Sequence, residues 1–277
     1  MMQQTIPQAV MIAVTLALIA APSRASWTTL APGLDLGEFA LPSAAPGQAK
    51  AALTILRLDA ARWSLELLSV DDVDAPDLMT ARQWCEQHDL VAAINAGMFA
   101  VDFRTHVGFA AVRGRVLCEV VNDYQSVAAF HPFDGRGRAP FRIFDLDEPG
   151  VTLAGIRRDY GSVVQNLRLI KRPGDNRWQR QDRRWSEAAL AEDAQGRILF
   201  VFCHAPLTMH DFNEALLGLG IGVVAAQHLD GGPPAQMFVR VGDVERELVG
   251  SYETGVRQDE GNVTAWPIPI VLGVRRR

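Results

Sequence analysis

The chain has 277 residues, 48% of them apolar, and a formal net charge of −5. A chain of this length and composition buries a sizeable core, as one large domain or two small ones, so general disorder is excluded. Basic and acidic residues are interspersed, which argues against a nucleic-acid surface built on phosphate neutralisation, and the terminal Arg275-Arg276-Arg277 reads as a solvated tail.

In chain order, the first feature is the run AVMIAVTLALIAA at 9 to 21. It is shorter than the ~20 residues a spanning helix needs and reads as the core of a signal peptide. Ser23 and Ala25 are the small residues before a cleavage point, so residues 1 to 25 are expected to be removed and Ser26 to begin a periplasmic or secreted chain. No Lys or Arg precedes the run, which leaves an uncleaved membrane anchor as the alternative. No later segment is long and apolar enough to span a bilayer. Residues 26 to 50, rich in Pro, Gly, Ala and Ser, are expected to lie across the domain without being its core, and the domain proper to run from 51 to 277.

The stretch ALTILRLDAARWSLELLSV has two alternating halves about a polar break at Asp59 to Arg62 and predicts a hairpin. Further hairpins are expected at Phe109 to Cys118, turning on Arg113-Gly114, and at the strand ILFVF (198 to 202) after a turn at Asp193 to Gly196. Residues 184 to 192 favour helix by composition and strand by position. Helices are predicted over 78 to 88, with Asp77 as a possible N-cap, and over 209 to 219, capped by Thr208 and stopped by Gly220. Cys85, Cys118 and Cys203 allow at most one internal disulfide, and their apolar neighbours and non-zinc spacing favour buried thiols.

Each helix leads into a short buried strand, LVAAI at 90 to 94 and IGVVAAQHL at 221 to 229, and both strands end alike. The first closes in Asn95-Ala96-Gly97-Met98-Phe99, the second in Asp230-Gly231-Gly232 with Met237-Phe238 following. This weak internal repeat predicts Asn95 and Asp230 side by side on adjacent strand ends. Ligands bind beyond carboxyl ends of strands, where backbone groups lack ladder partners. Gly231 and Gly232 admit close approach and sharp turning, and Pro233-Pro234 stiffen the exit, so the loop reads as a rigid mount for one carboxylate. A purely structural turn, with Asp230 accepting from the glycine N–H groups, is the competing reading, and the same holds for Asn95. His106 follows the Asn95 loop, and Arg168 sits in an apolar run where its charge needs either a carboxylate or a phosphate. His204, His210 and His228 lack a metal-binding spacing and are read as structural or surface residues. No G-x-S-x-G elbow, Walker loop, H-E-x-x-H or dinucleotide fingerprint occurs.

The segments AAINAGMF (92 to 99), VGFAAVRGRV (107 to 116), QNLRLI (165 to 170), DAQGRILFVF (193 to 202) and MHDFNEALLGLGIGVVAAQHLDGG (209 to 232) together resemble the phosphodiester glycosidase family, in its order and over about residues 52 to 273. The resemblance implies a single α/β (α+β) domain with a mixed β-sheet and flanking helices, and hydrolysis of the bond between an anomeric carbon and a phosphodiester. It also implies a carbohydrate phosphodiester of envelope or extracellular polysaccharide as substrate, with no cofactor and no nucleic acid. Carried over residue by residue, Asn95, Gly97, Asp230 and Gly231 fall on motif positions expected to line the active site, with Arg184 (or Arg183) as the family's arginine. With His106 and Arg168 from the reading of the residues themselves, Asp230, Asn95, Arg184 and His106 are the expected catalytic residues, and Gly97, Gly231, Gly232 and Arg168 the expected substrate-binding residues. The chain departs from the family at Pro233-Pro234-Ala235, where relatives commonly place a small or hydroxyl residue. It departs again at Gln165-Asn166-Leu167-Arg168, in place of a Q-S-G-P-like segment. Two further readings therefore stand beside catalysis: a non-catalytic polysaccharide-binding or assembly protein, and a metal-dependent phosphodiesterase using Asp230 with Asp102 or His106.

Overall fold

The computed structural model describes residues 26–41, 52–73, 77–253, 258–259 and 261–277. The proposed signal peptide lies outside the described residues. The first strands are β1 (Ser26–Ala31), β2 (Leu34–Ala40), β3 (Ala52–Leu58), β4 (Trp63–Ser69), β5 (Ala92–Asn95), β6 (Ala110–Val112) and β7 (Arg115–Cys118). Then come β8 (Ser126–Pro132), β9 (Phe141–Asp145), β10 (Tyr160–Asn166), β11 (Arg168–Lys171), β12 (Asp175–Asn176), β13 (Trp185–Asp193) and β14 (Ile198–Leu207). The last are β15 (Val223–Gly231), β16 (Gln236–Val241), β17 (Val244–Val249), β18 (Tyr252–Glu253), β19 (Gln258–Asp259) and β20 (Ile270–Arg276), and the helices are α1 (Ala81–His88), α2 (Leu153–Asp159) and α3 (Met209–Gly218).

Three large sheets surround a shared core. Their strand orders are β1-β2-β3-β14-β13-β15-β11-β12, β7-β6-β10-β8-β9 and β17-β16-β5-β20-β4, with β18-β19 as a separate pair. Alternation within the strands decides which residues face inward. Leu56, Leu190, Phe200, Phe130, Ile94 and Leu272, from all three sheets, meet in one central cluster. Each sheet then carries a helix on its outer face: Phe212 and Leu216 of α3 on the first, Ile156 of α2 on the second, and Trp84 and Cys85 of α1 on the third.

The expected α+β arrangement of sheets with flanking helices is present, but the mixed sheet is not, because every ladder among the described strands is antiparallel. The reason lies in how the helices connect strands. α1 joins β4 to β5 across the intervening β20, α2 joins β9 to β10 across β8, and α3 joins β14 to β15 across β13. In each unit two strands run in the same direction with an antiparallel strand inserted between them, so no parallel hydrogen bonds form. The two predicted repeat units are thus two of three such units.

Two further expectations change. The stretch 52 to 69 is not a hairpin: β3 pairs with β2 and β14, whereas β4 pairs with β20 in another sheet. Both strands are largely buried on both faces, and the corner at Asp59 to Arg62, closed by Trp63 N donating to Asp59 O (3.0 Å), carries the chain from one wall of the core to another. Residues 34 to 40 are not an overlay either, since β2 pairs with β3 along its whole length and buries Leu34, Leu36 and Phe39.

Local signals act as expected elsewhere. Arg113 and Gly114, both at positive φ, turn the β6-β7 hairpin as a two-residue loop requires. Thr208 caps α3 by accepting from Asp211 N, while α1 is capped by Thr80 rather than Asp77, in a capping box with Gln83. Residues 185 to 193, ambiguous in sequence, are strand. All three cysteines are buried free thiols.

Candidate active site

Asp230 stands at the end of β15, where Ala188 of β13 faces Asp230 and Ala189 faces His228, so that Leu229 is bulged out of the ladder. Bulges re-aim the side chains that flank them. One Asp230 oxygen, Oδ1, accepts from Gly231 N–H at 2.7 Å; the other accepts no hydrogen bond among the described residues, and the residue keeps partial contact with solvent. Burial raises its carboxyl to about 6, with the His228 charge and the Gly231 N–H pulling the other way and Glu187 adding to the rise. The competing turn reading is therefore half realised: one oxygen is engaged locally, the other is left for chemistry.

The glycines beside it are sterically required. A Cβ on Gly231 would overlap the Trp185 indole, and Gly232 adopts φ 68° with its N–H on Ser186 O at 3.0 Å. Trp185 in turn donates from Nε1 to Glu187 Oε2 at 2.9 Å.

Behind Asp230 lies a pair that sequence reasoning did not single out. His228 Nδ1 and Glu187 Oε1 share a short hydrogen bond, with both residues almost wholly buried. Burial opposes a charged imidazole, but the adjoining Glu187 carboxylate outweighs it and His228 is held above its ordinary value; burial raises Glu187 in the same way, against the pull of His228. The two act as one unit holding a proton next to Asp230. Nothing in the local sequence announces Glu187, because its partner is supplied by a neighbouring strand 41 positions away.

Tyr124 completes this side. Burial and the charges of Asp123 and Asp230 raise its hydroxyl, which places it in the field of Asp230. Its loop hangs from buried Gln165, whose Nε2 donates to Tyr124 O (2.8 Å) and Asn122 O (3.1 Å).

The Asn95 side is different in character. Asn95 closes β5 with its side chain turned inward, Oδ1 accepting from Gln236 N–H at 3.1 Å and Nδ2 without a partner. Two residues on, Gly97 (φ 154°) lies so close to His106 Nε2 and Asn166 Oδ1 that a Cβ would overlap both. Asn166 Nδ2 donates to Ala96 O at 2.9 Å and so locks the Asn95 loop to β10. Burial lowers His106, the Gly108 carbonyl and Asn166 opposing, so its ring is neutral at pH 7. His106 Nδ1 meets both Gly108 O (2.9 Å), which calls for a protonated Nδ1, and Gly108 N–H (3.1 Å), which calls for a bare one, and Nε2 takes the complementary role. His106 Nε2 and Asn166 Oδ1, both beside Gly97, and Asn95 Nδ2 at the end of β5 are three buried polar atoms without hydrogen-bond partners among the described residues. Native proteins rarely leave such groups unsatisfied unless something polar is to be held there.

The predicted adjacency of Asn95 and Asp230 needs correction. β5 and β15 belong to different sheets, and the two residues are linked instead through the loop 232 to 236, which leaves Asp230 and delivers Gln236 N–H to Asn95. The helix–strand units do resemble each other, but each closes a separate sheet. Arg168 does not reach Asp230: its guanidinium is 3.4 Å from Asp145 and 2.8 Å from Asp147, the internal ion pair that the sequence left open. Arg184 and Arg183 are exposed, and neither is brought to Asp230 by a contact among the described residues. Asp102 is exposed and occupied by its own turn, accepting from Thr105 Oγ1 and from Arg104 and Thr105 N–H. Among the described residues, no three His, Cys, Asp or Glu side chains are grouped to hold a metal ion.

Comparison with known proteins follows this geometry. A hypothetical protein from Synechocystis superposes with a TM-score of 0.65 at 15% identity, over 94% of this chain and 64% of that one. This chain therefore spans slightly under two thirds of that protein's length. The catalytic domain of zebrafish N-acetylglucosamine-1-phosphodiester alpha-N-acetylglucosaminidase, auto-inhibited by its pro-peptide, superposes with a TM-score of 0.62 at 13% identity, over 91% of this chain and 87% of that one. These likenesses are of fold. A search of the curated proteins finds no match. The phosphodiester glycosidase family profile matches residues 88–275, which takes in Asn95, His106, Glu187, His228 and Asp230, and the chain belongs to that family.

Proposed function

We propose that the protein hydrolyses the glycosidic bond of a sugar 1-phosphodiester, with Asp230 as the group that meets the developing charge at the anomeric carbon. The observation that carries this reading is the half-free Asp230 carboxylate, raised to about 6 and backed by the buried Glu187–His228 pair, on a chain of the phosphodiester glycosidase family. Above pH 6 Asp230 is mostly ionised. Its unpartnered oxygen is then available to attack or stabilise an oxocarbenium-like centre, while Gly231 N–H fixes the other oxygen in place. The leaving group is a phosphate monoester anion of low basicity, so cleavage needs little help from a general acid. His228, two positions before Asp230, shares its proton with Glu187, and both charges act on the Asp230 carboxyl. The Asn95 amide N–H, the Asn166 amide oxygen and the second ring nitrogen of His106 supply polar atoms suited to sugar hydroxyls.

A second reading, saccharide binding without turnover, is favoured by one observation. Arg168 is neutralised by Asp145 and Asp147, so its charge is not free to meet a departing phosphate. Export remains part of the proposal on the strength of the apolar run at 9 to 21. Among the described residues no helix is long and apolar enough to cross a membrane.

The deciding experiment is incubation with a panel of sugar 1-phosphodiesters in ¹⁸O-labelled water. Label in the released sugar supports anomeric cleavage; label in the phosphate monoester overturns it; binding without product selects the second reading.

A further inference from the structure

One groove beside the site is not used by the chemistry above. It has a volume of about 380 Å³, and Arg168, Arg177, Trp178, Arg180 and Gln181 line it together with Leu167, Asp123 and Gln125. Two of its lining segments connect to the Asp230 region. The Leu167 carbonyl accepts from His228 N–H at 2.8 Å, and Asp123 and Gln125 flank Tyr124, which feels the Asp230 charge.

Its chemistry is distinctive for a chain of net charge −5. The segment 177 to 184, RWQRQDRR, holds four arginines and one aspartate, and it runs directly into Trp185, the residue against Gly231. Asp175 binds only the Nε of Arg177 (2.9 Å), and the Arg180 side chain is 83% exposed with its nearest carboxylate 3.9 Å away. Trp178 is fixed as a platform: its indole Nε1 donates to Arg168 O at 2.6 Å and its backbone N–H to Asn176 Oδ1 at 3.1 Å. The Arg168 ion pairs hold that carbonyl still. Gln181 Nε2 is buried without a partner in the same lining.

We propose that this groove binds the acidic saccharide chain on the far side of the scissile phosphate, so that the substrate is an anionic polysaccharide. The proposal rests on the glycosidase reading for its substrate but not for its binding. A uronate-type sugar presents an apolar C–H face that suits an indole and carboxylates that suit the planar guanidinium fork. A nucleic acid, with a phosphate at every repeat, fits the overall negative charge less well, and the groove holds one aromatic platform where base stacking uses several.

The test titrates the full chain with hexagalacturonate and, as a neutral control, maltohexaose, by calorimetry at low and moderate salt. Hexagalacturonate is expected to bind about tenfold or more tightly than maltohexaose, more weakly as salt rises, and to lose about tenfold in Arg177→Gln/Arg180→Gln while maltohexaose changes less than about twofold. Trp178→Ala is expected to weaken both, with circular dichroism showing an intact fold. Equal affinity for the two saccharides, insensitivity to the arginine substitutions, or tighter binding of an oligothymidylate of equal charge overturns the proposal. Hydrolysis of a small neutral sugar 1-phosphodiester is measured alongside. Selective binding without hydrolysis removes only the glycosidase reading, and hydrolysis with unselective binding removes only the groove.

Discussion

Replacing Asp230 by Asn keeps the side chain's shape and its acceptor for Gly231 N–H, and removes the ionisation. Burial holds the folded carboxyl at about 6, against an ordinary value of 3.8. Below that ordinary value the group is protonated whether the chain is folded or unfolded, and it costs nothing. As pH rises toward 6 the unfolded chain releases the proton first, so the fold loses stability, and above 6 the loss is complete. At ~1.4 kcal/mol per pH unit the full cost approaches ~3 kcal/mol, which the remaining solvent contact trims to about 1–3 kcal/mol. Asp230→Asn is therefore expected to melt at the same temperature as the parent near pH 4 and roughly 2–10 °C higher above pH 7. Sugar release from a 1-phosphodiester is expected to fall by about two orders of magnitude or more. Thermal melts by circular dichroism from pH 4 to 8 read the first effect. A variant that melts at or below the parent at pH 7.5, or a gap that ignores pH, refutes the argument from burial; undiminished hydrolysis removes Asp230 from the chemistry.

Two further substitutions probe the surroundings. Glu187→Gln takes the carboxylate from beside buried His228, and is expected to cost about 3 kcal/mol in chemical denaturation and to lower the imidazole titration seen by NMR; an unmoved titration means another group holds the His228 proton. Gly97→Ala forces a methyl against Asn166 Oδ1 and His106 Nε2 and is expected to cost about 2–4 kcal/mol, so an unchanged urea midpoint would show that the loop yields.

What the sequence revealed was local, and what it concealed was partnership. Alternation located β3, β4, β6, β7 and β14, and the caps at Thr208 and Gly220 bounded α3, because each depends on near neighbours. The T-x-x-Q box that starts α1 at Thr80 was equally readable, although Asp77 competed with it. α2 escaped because it has seven residues, with Gly155 inside it and Gly150 close before. The pairing of β4 with β20 joins residues some 200 positions apart, and no periodicity carries that information. The same limit governed the site. Asn95, Gly97, His106 and Asp230 sit at strand ends or in the loops beyond them, among residues that are unusual in themselves. Glu187 lies among Ala and Leu in a strand, and only the fold brings it to His228.

Gln236 fastens more than its position in a loop suggests. Its N–H binds Asn95, its Oε1 accepts from Ala81 N–H at the start of α1 (2.6 Å), and its Nε2 donates to Trp266 O (2.7 Å). Asn95, Ala81 and Trp266 all lie on or beside the third sheet, so Gln236 pins the first residue of β16 to that one wall, and the turn from Gly232 to Ala235 ties Asp230 to the same anchor. A turn held at its far end has little room to swing, so retargeting such a protein is a matter of changing the residues around the turn and leaving the anchor alone.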